Sequence, residues 1–225
     1  MKEKYKLTHS QLMKNRDDIE PFKQLNDKYV MLHKQYAHSF RELYSRAISK
    51  AYRQEYAKGG TTIHRGVYSP SALDFVFGGC NRGNLLKKIP KNHAFDYEYT
   101  FDEEGNLIIC KKYDKVSDGQ FAESYIGSIE LFIYEQSKVL SLIYEPRSND
   151  VLSFITECQY EGNKIIRYES ALCALLPYGG EDCTELNAED FEYENDVLCA
   201  LSWHRYSPDL ELLQQEKYAF YRDDT

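Results

Sequence analysis

The first quarter of the chain carries apolar residues at helical spacing. They recur about every 3.6 residues, the period of an α-helix, at Phe22, Leu25, Tyr29, Leu32, Tyr36, Phe40, Leu43, Ala47 and Ala51. Pro21 is typical of a first helical turn, and Gly59 is typical of a helix end. The pattern predicts a long amphipathic helix, or a helical hairpin if the chain breaks near His38 and Ser39. Residues 8–18 are a candidate for a short preceding helix.

The period changes to two after Ala94. This alternation predicts a half-buried strand that directs Asp96 and Glu98 toward solvent. It directs four aromatic side chains into the core, namely Phe95, Tyr97, Tyr99 and Phe101. A turn at 102–106 then returns the chain into a second strand.

Further apolar segments, separated by short turns, continue to the end of the chain. Strands are predicted at 107–113, 129–134, 139–144, 151–160, 165–173 and 197–206, and a short helix after Ser207. Short connections are typical of an antiparallel meander. The predicted fold is therefore α+β, with an N-terminal long helix or helical hairpin packed on a twisted antiparallel β-meander of six or seven strands. Its segments are a basic helical part (1–58), an irregular basic connector (59–93) and an acidic sheet domain (94–225), expected to form one integrated fold.

The net charge of −8 hides a division along the chain. Residues 1–93 carry a net charge of +10, and residues 94–225 carry −18. Such an asymmetry indicates either charged partners or a basic helical part that packs against an acidic sheet. Both interpretations stay open. The acidic part would repel phosphates, so a nucleic-acid partner is disfavoured.

Motifs that carry chemistry are scarce. The chain has no phosphate-binding glycine motif, no nucleophile elbow and no paired histidines at metal-ligand spacing. We therefore expect no catalytic residues, no metal and no cofactor. Two His-Arg dipeptides, His64-Arg65 and His204-Arg205, leave open an acid/base group beside a phosphate clamp, as in a nuclease.

The six cysteines are far apart in sequence, and none forms a C-x-x-C pair. No apolar segment resembles a signal sequence or a membrane span. These features predict reduced thiols, a cytoplasmic location and no contact with a membrane.

Residues 181–196 form the densest charged segment, with eight acids and no lysine or arginine. Two interpretations compete: a solvated acidic loop, or a surface that recognises a basic protein through carboxylates and aromatic anchors. The candidate partner-binding residues are Glu181, Asp182, Glu185, Glu189, Asp190, Phe191, Glu192, Tyr193, Glu194 and Asp196.

A small, acidic, tyrosine-rich α+β chain without catalytic motifs resembles the immunity proteins of bacterial polymorphic toxin and contact-dependent inhibition systems. The hairpin Tyr99-Thr-Phe-Asp-Glu-Glu-Gly-Asn-Leu-Ile108 is also similar to the Y-x-x-D-x-x-G-x-L hairpins of toxin-associated repeat proteins. The resemblance implies a cytoplasmic antitoxin that binds the C-terminal domain of a toxin and occludes its basic, nuclease-like cleft. The resemblance rests on no shared motif, so it assigns no functional residue to this chain. The alternatives are a regulatory or interaction module with another protein partner, and a nucleic-acid-processing enzyme that uses His64 and Arg65.

Overall fold

The computed structural model describes residues 4–13, 16–60, 71, 83–88, 95–117, 122–174, 176–207 and 212–221. Within them lie two α-helices, α1 (Arg16–Tyr36) and α2 (Phe40–Ile48). The strands are β1 (Lys4–Met13), β2 (Arg53–Lys58), β3 (Asn84–Leu85), β4 (Tyr97–Phe101), β5 (Leu107–Ser117), β6 (Ala122–Glu135), β7 (Lys138–Glu145), β8 (Val151–Glu161), β9 (Lys164–Leu172), β10 (Glu185–Glu194), β11 (Val197–Ser207) and β12 (Leu212–Tyr221).

The twelve strands form one sheet, in the order β1-β12-β11-β10-β9-β8-β7-β6-β5-β4-β2-β3. From β4 to β12 this order follows the chain, as in a meander. The prediction of a helical N-terminal part on six or seven strands is wrong, because sheet dominates the chain and begins at its first described residues. Helix and sheet are both present, so α+β holds only in the loosest sense.

Three strands that the sequence pattern did not predict lie in segments with helix-forming residues or beside a predicted helix. β12 contains a run of good helix formers, β1 overlaps the helix predicted at 8–18, and β2 continues the apolar stripe beyond α2. Each is extended because its backbone pairs with other strands: β12 with β1 and β11, and β2 with β4. Such pairing outweighs a weak intrinsic helical preference.

The long N-terminal helix is interrupted. α1 ends at Tyr36 and α2 begins at Phe40, and the Ser39 N–H donates a hydrogen bond to the Tyr36 carbonyl at 3.0 Å. The break lies near His38 and Ser39, where the sequence allowed for a helical hairpin. α1 begins at Arg16, so Pro21 lies inside the helix rather than at its first turn.

The chain divides into two compact units. Unit 1 comprises Met1–Lys34, Glu135–Lys138 and Phe154–Thr225, and unit 2 comprises Gln35–Tyr134 and Val139–Ser153. The segment 1–58 therefore contributes to both units. Most of the connector 59–93, and residues 208–211 of the short helix predicted after Ser207, lie outside the described residues.

In unit 1, α1 packs its apolar stripe against the sheet. Ile19 and Tyr29 are fully buried, and Leu25 nearly so. The Phe22 ring lies 5.8 Å from the Tyr206 ring and 5.9 Å from the His204 ring of β11. The predicted amphipathic face thus becomes part of the core of this unit.

In unit 2, strand β4 is buried along its whole length. The prediction that its aromatic residues lie in the core is confirmed, since Phe95, Tyr97, Tyr99 and Phe101 are all buried. The prediction that Glu98 faces solvent is wrong, because only 7% of this residue is exposed. Asp96 is half-buried and accepts hydrogen bonds from Lys115 at 2.7 Å and from the Gly59 N–H at 2.5 Å.

The predicted turns are confirmed at three positions. Asp102–Asn106 closes the β4–β5 hairpin, where Gly105 has a φ of 86°, a left-handed conformation that favours glycine. The segments 146–150 and 162–163 likewise separate strands β7 from β8 and β8 from β9. Turn residues therefore located these hairpins correctly from sequence.

Candidate partner-binding surface

The acidic segment 181–196 is mostly a strand rather than a loop. Residues 181–184 precede β10, which pairs with β9 on one side and β11 on the other. Asn195 and Asp196 form the β10–β11 turn with φ angles of 48° and 65°, the pattern of a tight two-residue hairpin. The interpretation as a solvated loop is therefore wrong for most of the segment.

Four of its eight acids pair within unit 1 with cations from other strands. Such local pairs reduce the field that a distant partner would experience. The carboxylate contacts are Glu185 with Arg205 (2.7 Å), Asp190 with Arg167 (2.5 Å), Glu192 with Lys217 (2.6 Å) and Asp196 with Lys164 (2.5 Å). Asp182 accepts a hydrogen bond from the Asn26 amide of α1 at 2.6 Å.

Part of the segment lies in the protein interior. Leu186 and Ala188 are fully buried, and Glu189 is only 2% exposed. In the sheet register, Glu189 lies between Tyr168 of β9 and Trp203 of β11. Both sequence-based interpretations of the segment place its acids at the surface, which is wrong at Glu189, and this residue is not available to a partner.

The two candidate aromatic anchors are half-buried. The Tyr193 hydroxyl donates a hydrogen bond to the Ile165 carbonyl at 2.9 Å, and the Lys164 ammonium lies 5.5 Å from its ring centroid. Phe191 pairs with Leu201 in the β10–β11 register. Tyr193 is thus held in place by the neighbouring strand β9.

Exposed carboxylates remain around the β10–β11 turn. Glu161 and Glu194 are exposed, and the Asp196 side chain retains 86% of its accessible surface. These three residues are called the acidic turn cluster below. Two of them, Asp196 and Glu161, lie near Lys164, because both raise the pKa of its ammonium. Glu181 is exposed as well, on the loop at the opposite end of β10.

Sequence reasoning missed a polar network beneath α1. The Lys28 ammonium lies 3.0 Å from a Glu157 oxygen and 2.5 Å from a Glu169 oxygen, and both glutamates are 4% exposed. The Tyr29 hydroxyl donates to Glu169 at 3.2 Å, and Arg167 approaches the same carboxylate at 2.6 Å. Two sequence signals could have predicted this network. One is a lysine beside the apolar stripe of the helix, and the other is the presence of single acids within apolar strands.

The electrostatics of this network fit a structural role. Burial alone would raise the pKa of Glu157, but the adjacent Lys28 ammonium holds that pKa below its ordinary value. Burial, together with Glu169 and Glu157, raises the pKa of Tyr29. Glu157 therefore remains charged and paired, whereas a general acid or base must exchange its proton.

The two His-Arg dipeptides do not supply a catalytic site in the described residues. His64 and Arg65 lie outside them. His204 and Arg205 point to opposite faces of β11, as successive strand residues do, since His204 packs on Phe22 while Arg205 bonds to Glu185. Burial lowers the pKa of His204, so its approach to Asp190 at 3.7 Å involves a neutral imidazole at neutral pH.

No cluster of three or more His, Cys, Asp or Glu residues suited to a metal ion occurs in the described part of the chain. Within the same residues, neither helix combines the length and apolarity that crossing a membrane requires.

Comparison with known proteins identifies no family. No family model matches the chain, and no curated protein matches it. A solved structure of a protein of unknown function from Bacteroides fragilis matches with a TM-score of 0.40 and 14% sequence identity. The match covers 56% of this chain and 90% of that one.

Proposed function

We propose that the protein is a non-catalytic binding protein that binds a basic protein partner through the β10–β11 end of unit 1. The resemblance to immunity proteins suggests the C-terminal, nuclease-like domain of a bacterial toxin, inhibited in the cytoplasm. The observation that carries the proposal is the acidic turn cluster, in which three exposed carboxylates lie at two hairpin ends and, within the described part of the chain, only Asp196 is paired, with Lys164 at 2.5 Å.

Charge and contact area are both available at this site. Exposed carboxylates steer a basic partner toward the surface over about 8–10 Å at moderate ionic strength. Tyr193 lies next to the cluster and is already ordered by Ile165, so it would lose little conformational freedom on binding. Acids paired deeper in the sheet, such as Asp190, contribute to the strand network instead.

The test is a set of association-rate measurements with two matched variants. The first variant combines Glu161→Gln, Glu194→Gln and Asp196→Asn; asparagine tolerates the left-handed backbone of position 196. The control removes equal charge from exposed helical residues through Glu20→Gln, Asp27→Asn and Glu42→Gln. Affinity purification from the native cell and mass spectrometry supply the partner.

A basic partner whose low-salt association slows at least about tenfold with the first variant, but not with the control, supports the proposal. The partner should also carry an activity that stoichiometric binding inhibits. An acidic or uncharged partner, or equal rates for both variants, overturns it. A partner without toxic activity favours the alternative of a regulatory module.

A further inference from the structure

Unit 2 contains a cavity of about 340 Å³ beside the C-terminal half of α2. Its volume falls at the lower end of the range for small-ligand sites. The helix, the β4–β5 turn and the strands β5 and β6 form its walls.

The floor of the cavity is apolar. Leu43, Ile108 and Phe132 line it and are 7%, 5% and 7% exposed. Ile108 and Phe132 share a face of the β5–β6 pair, because their neighbours Ile109 and Leu131 are paired on the other face. Leu131 and Tyr134 are also among the lining residues. The Tyr134 hydroxyl donates a hydrogen bond to the Leu107 carbonyl at 2.9 Å, so its polar group is already satisfied.

Asp102 is the only acid among the described lining residues. One Asp102 oxygen accepts the Asn106 N–H at 2.7 Å, and the other accepts the Asn106 side-chain amide at 3.0 Å. Both oxygens of Asp102 are therefore engaged in its own turn, and the two cations of the rim outnumber this acid.

The rim carries two unpaired cations. Arg46 lies in the last turn of α2 and Lys50 in the turn that follows it; both are exposed and make no side-chain hydrogen bond or ion pair with the described residues. Cations at this end of a helix can stabilise its dipole. Here, however, carbonyls of the last turn already have partners. The Ser49 hydroxyl donates to the Arg46 carbonyl, and the Lys50 N–H donates to the Ala47 carbonyl. The two charged groups are thus free to bind an anion.

We infer that this cavity binds a small amphiphilic organic anion, whose apolar body lies on the Leu43–Ile108–Phe132 floor and whose carboxylate or similar head pairs with Arg46 and Lys50. The two cations favour a ligand with a negative charge, and the apolar floor favours a ligand with an apolar body. The inference concerns unit 2 alone and is independent of the proposed protein partner.

Dodecanoate is a suitable probe, with dodecyltrimethylammonium as the control of opposite charge. Titration of isotope-labelled protein, followed by amide chemical shifts, should show saturable binding of dodecanoate at residues around Ala47, Ile108 and Leu131. The cationic control should leave these signals unchanged. Absence of saturable dodecanoate binding, or equal binding of both probes, overturns the inference.

Two variants test the site itself. Arg46→Gln with Lys50→Gln should weaken dodecanoate binding at least about tenfold, because two charge-assisted contacts are lost. The matched control, Arg41→Gln with Lys87→Gln, removes two exposed cations outside the cavity and should bind as the wild type does. Ala47→Leu should narrow the cavity beside Leu43 and weaken dodecanoate binding while melting stays cooperative. Unchanged binding by Arg46→Gln with Lys50→Gln, or by Ala47→Leu, contradicts the site.

Discussion

The Lys111 ammonium donates a hydrogen bond to Glu98 at 2.7 Å inside unit 2, where their side chains are only 12% and 9% exposed. The Tyr113 hydroxyl donates to the other Glu98 oxygen at 3.0 Å. Burial alone would lower the pKa of Lys111, but the hydrogen bond to Glu98 holds that pKa above its ordinary value. Glu98 therefore forms a buried ion pair with Lys111, although the alternation of apolar and polar residues in its strand predicted that Glu98 faces solvent.

We expect Glu98→Ala to lower the free energy of unfolding by about 3–5 kcal/mol, because it leaves the Lys111 charge buried without its partner. Urea unfolding monitored by circular dichroism measures the change. Glu104→Ala, in the exposed turn of the same hairpin, should cost less than about 0.5 kcal/mol. Equal losses for the two variants would contradict a buried pair.

Lys28→Met should destabilise the protein through Glu157 and Glu169, which would share a buried site without their common cation. The expected loss is about 2–3 kcal/mol, below the usual value for a buried pair because 34% of the Lys28 side chain is exposed. Lys34→Met, an exposed position on the same helix, should be nearly neutral. The measurement is again the urea midpoint.

The same substitution should change the response to acid. The pKa of Glu157 lies below its ordinary value of 4.5, so its stabilising contribution is present above pH 4.5 and is lost as the pH falls through the lowered pKa. Without Lys28 this pKa should rise, and acid unfolding should begin at a higher pH. An unchanged acid midpoint for Lys28→Met would show that Lys28 does not control Glu157.

Glu130 should give the opposite pH dependence. Burial raises the pKa of Glu130 from 4.5 to about 7, although the Ser141 hydroxyl donates to the carboxylate and partly offsets the effect. The folded state therefore binds the proton more tightly than the unfolded state. The contribution of Glu130 is most favourable below pH 4.5 and declines by about 3 kcal/mol as the pH rises to 7.

Glu130→Gln should remove this decline, because glutamine stays neutral throughout the range. Between pH 4.5 and pH 8, the free energy of unfolding of the variant should therefore rise relative to that of the wild type. Glu135→Gln, an exposed position at the end of β6, serves as the control. A difference that stays constant with pH would exclude a raised pKa at Glu130.

Cysteine reactivity should follow burial. Cys110, Cys158, Cys173, Cys183 and Cys199 are free thiols, and all except the half-buried Cys199 are buried, while Cys80 lies outside the described residues. Burial raises the pKa of Cys110 and brings that of Cys158 to about 11, which disfavours the reactive thiolate. We expect iodoacetamide to label Cys199 at least about tenfold faster than the four buried thiols in the native protein.

Peptide mass mapping resolves each site, and equal labelling in denaturant provides the reference. All six thiols should titrate in the unfolded chain under reducing conditions. The Cys173 and Cys183 sulfurs are the closest pair to monitor, since they lie 3.7 Å apart without a bond. Native labelling of Cys173 as fast as that of Cys199 would contradict its burial.

Local signals in the sequence predicted local structure well. Glycine and Asx residues located the Asp102–Asn106 turn, and apolar spacing identified the face of α1 that buries Leu25 and Tyr29. The strand at Val197–Ser207 was also predicted, because its apolar side chains are clear in the sequence. In each case the determining residues are neighbours along the chain.

The remaining errors arise where distant segments meet. Arg167, Arg205 and Lys217 neutralise acids of β10, but nothing near β10 in the sequence reveals this pairing. The register between strands places these cations opposite the acids. The same holds for Lys28, whose two carboxylate partners lie 129 and 141 residues later. Charge counted along the chain therefore overstated the acidic surface that unit 1 presents.

The pairing of β1 with β12 has a consequence for biosynthesis. Thr8 donates a hydrogen bond to the Lys217 carbonyl, a partner 209 residues further along the chain. As β1 leaves the ribosome, none of its strand partners has been made, and closing so long a loop delays the pairing further. A strand without partners invites association with other chains. Among the strands that the structure describes, β1 has the largest sequence separation from its partner, so it stays unpaired until β12 has been synthesised and is exposed to misassociation during that time.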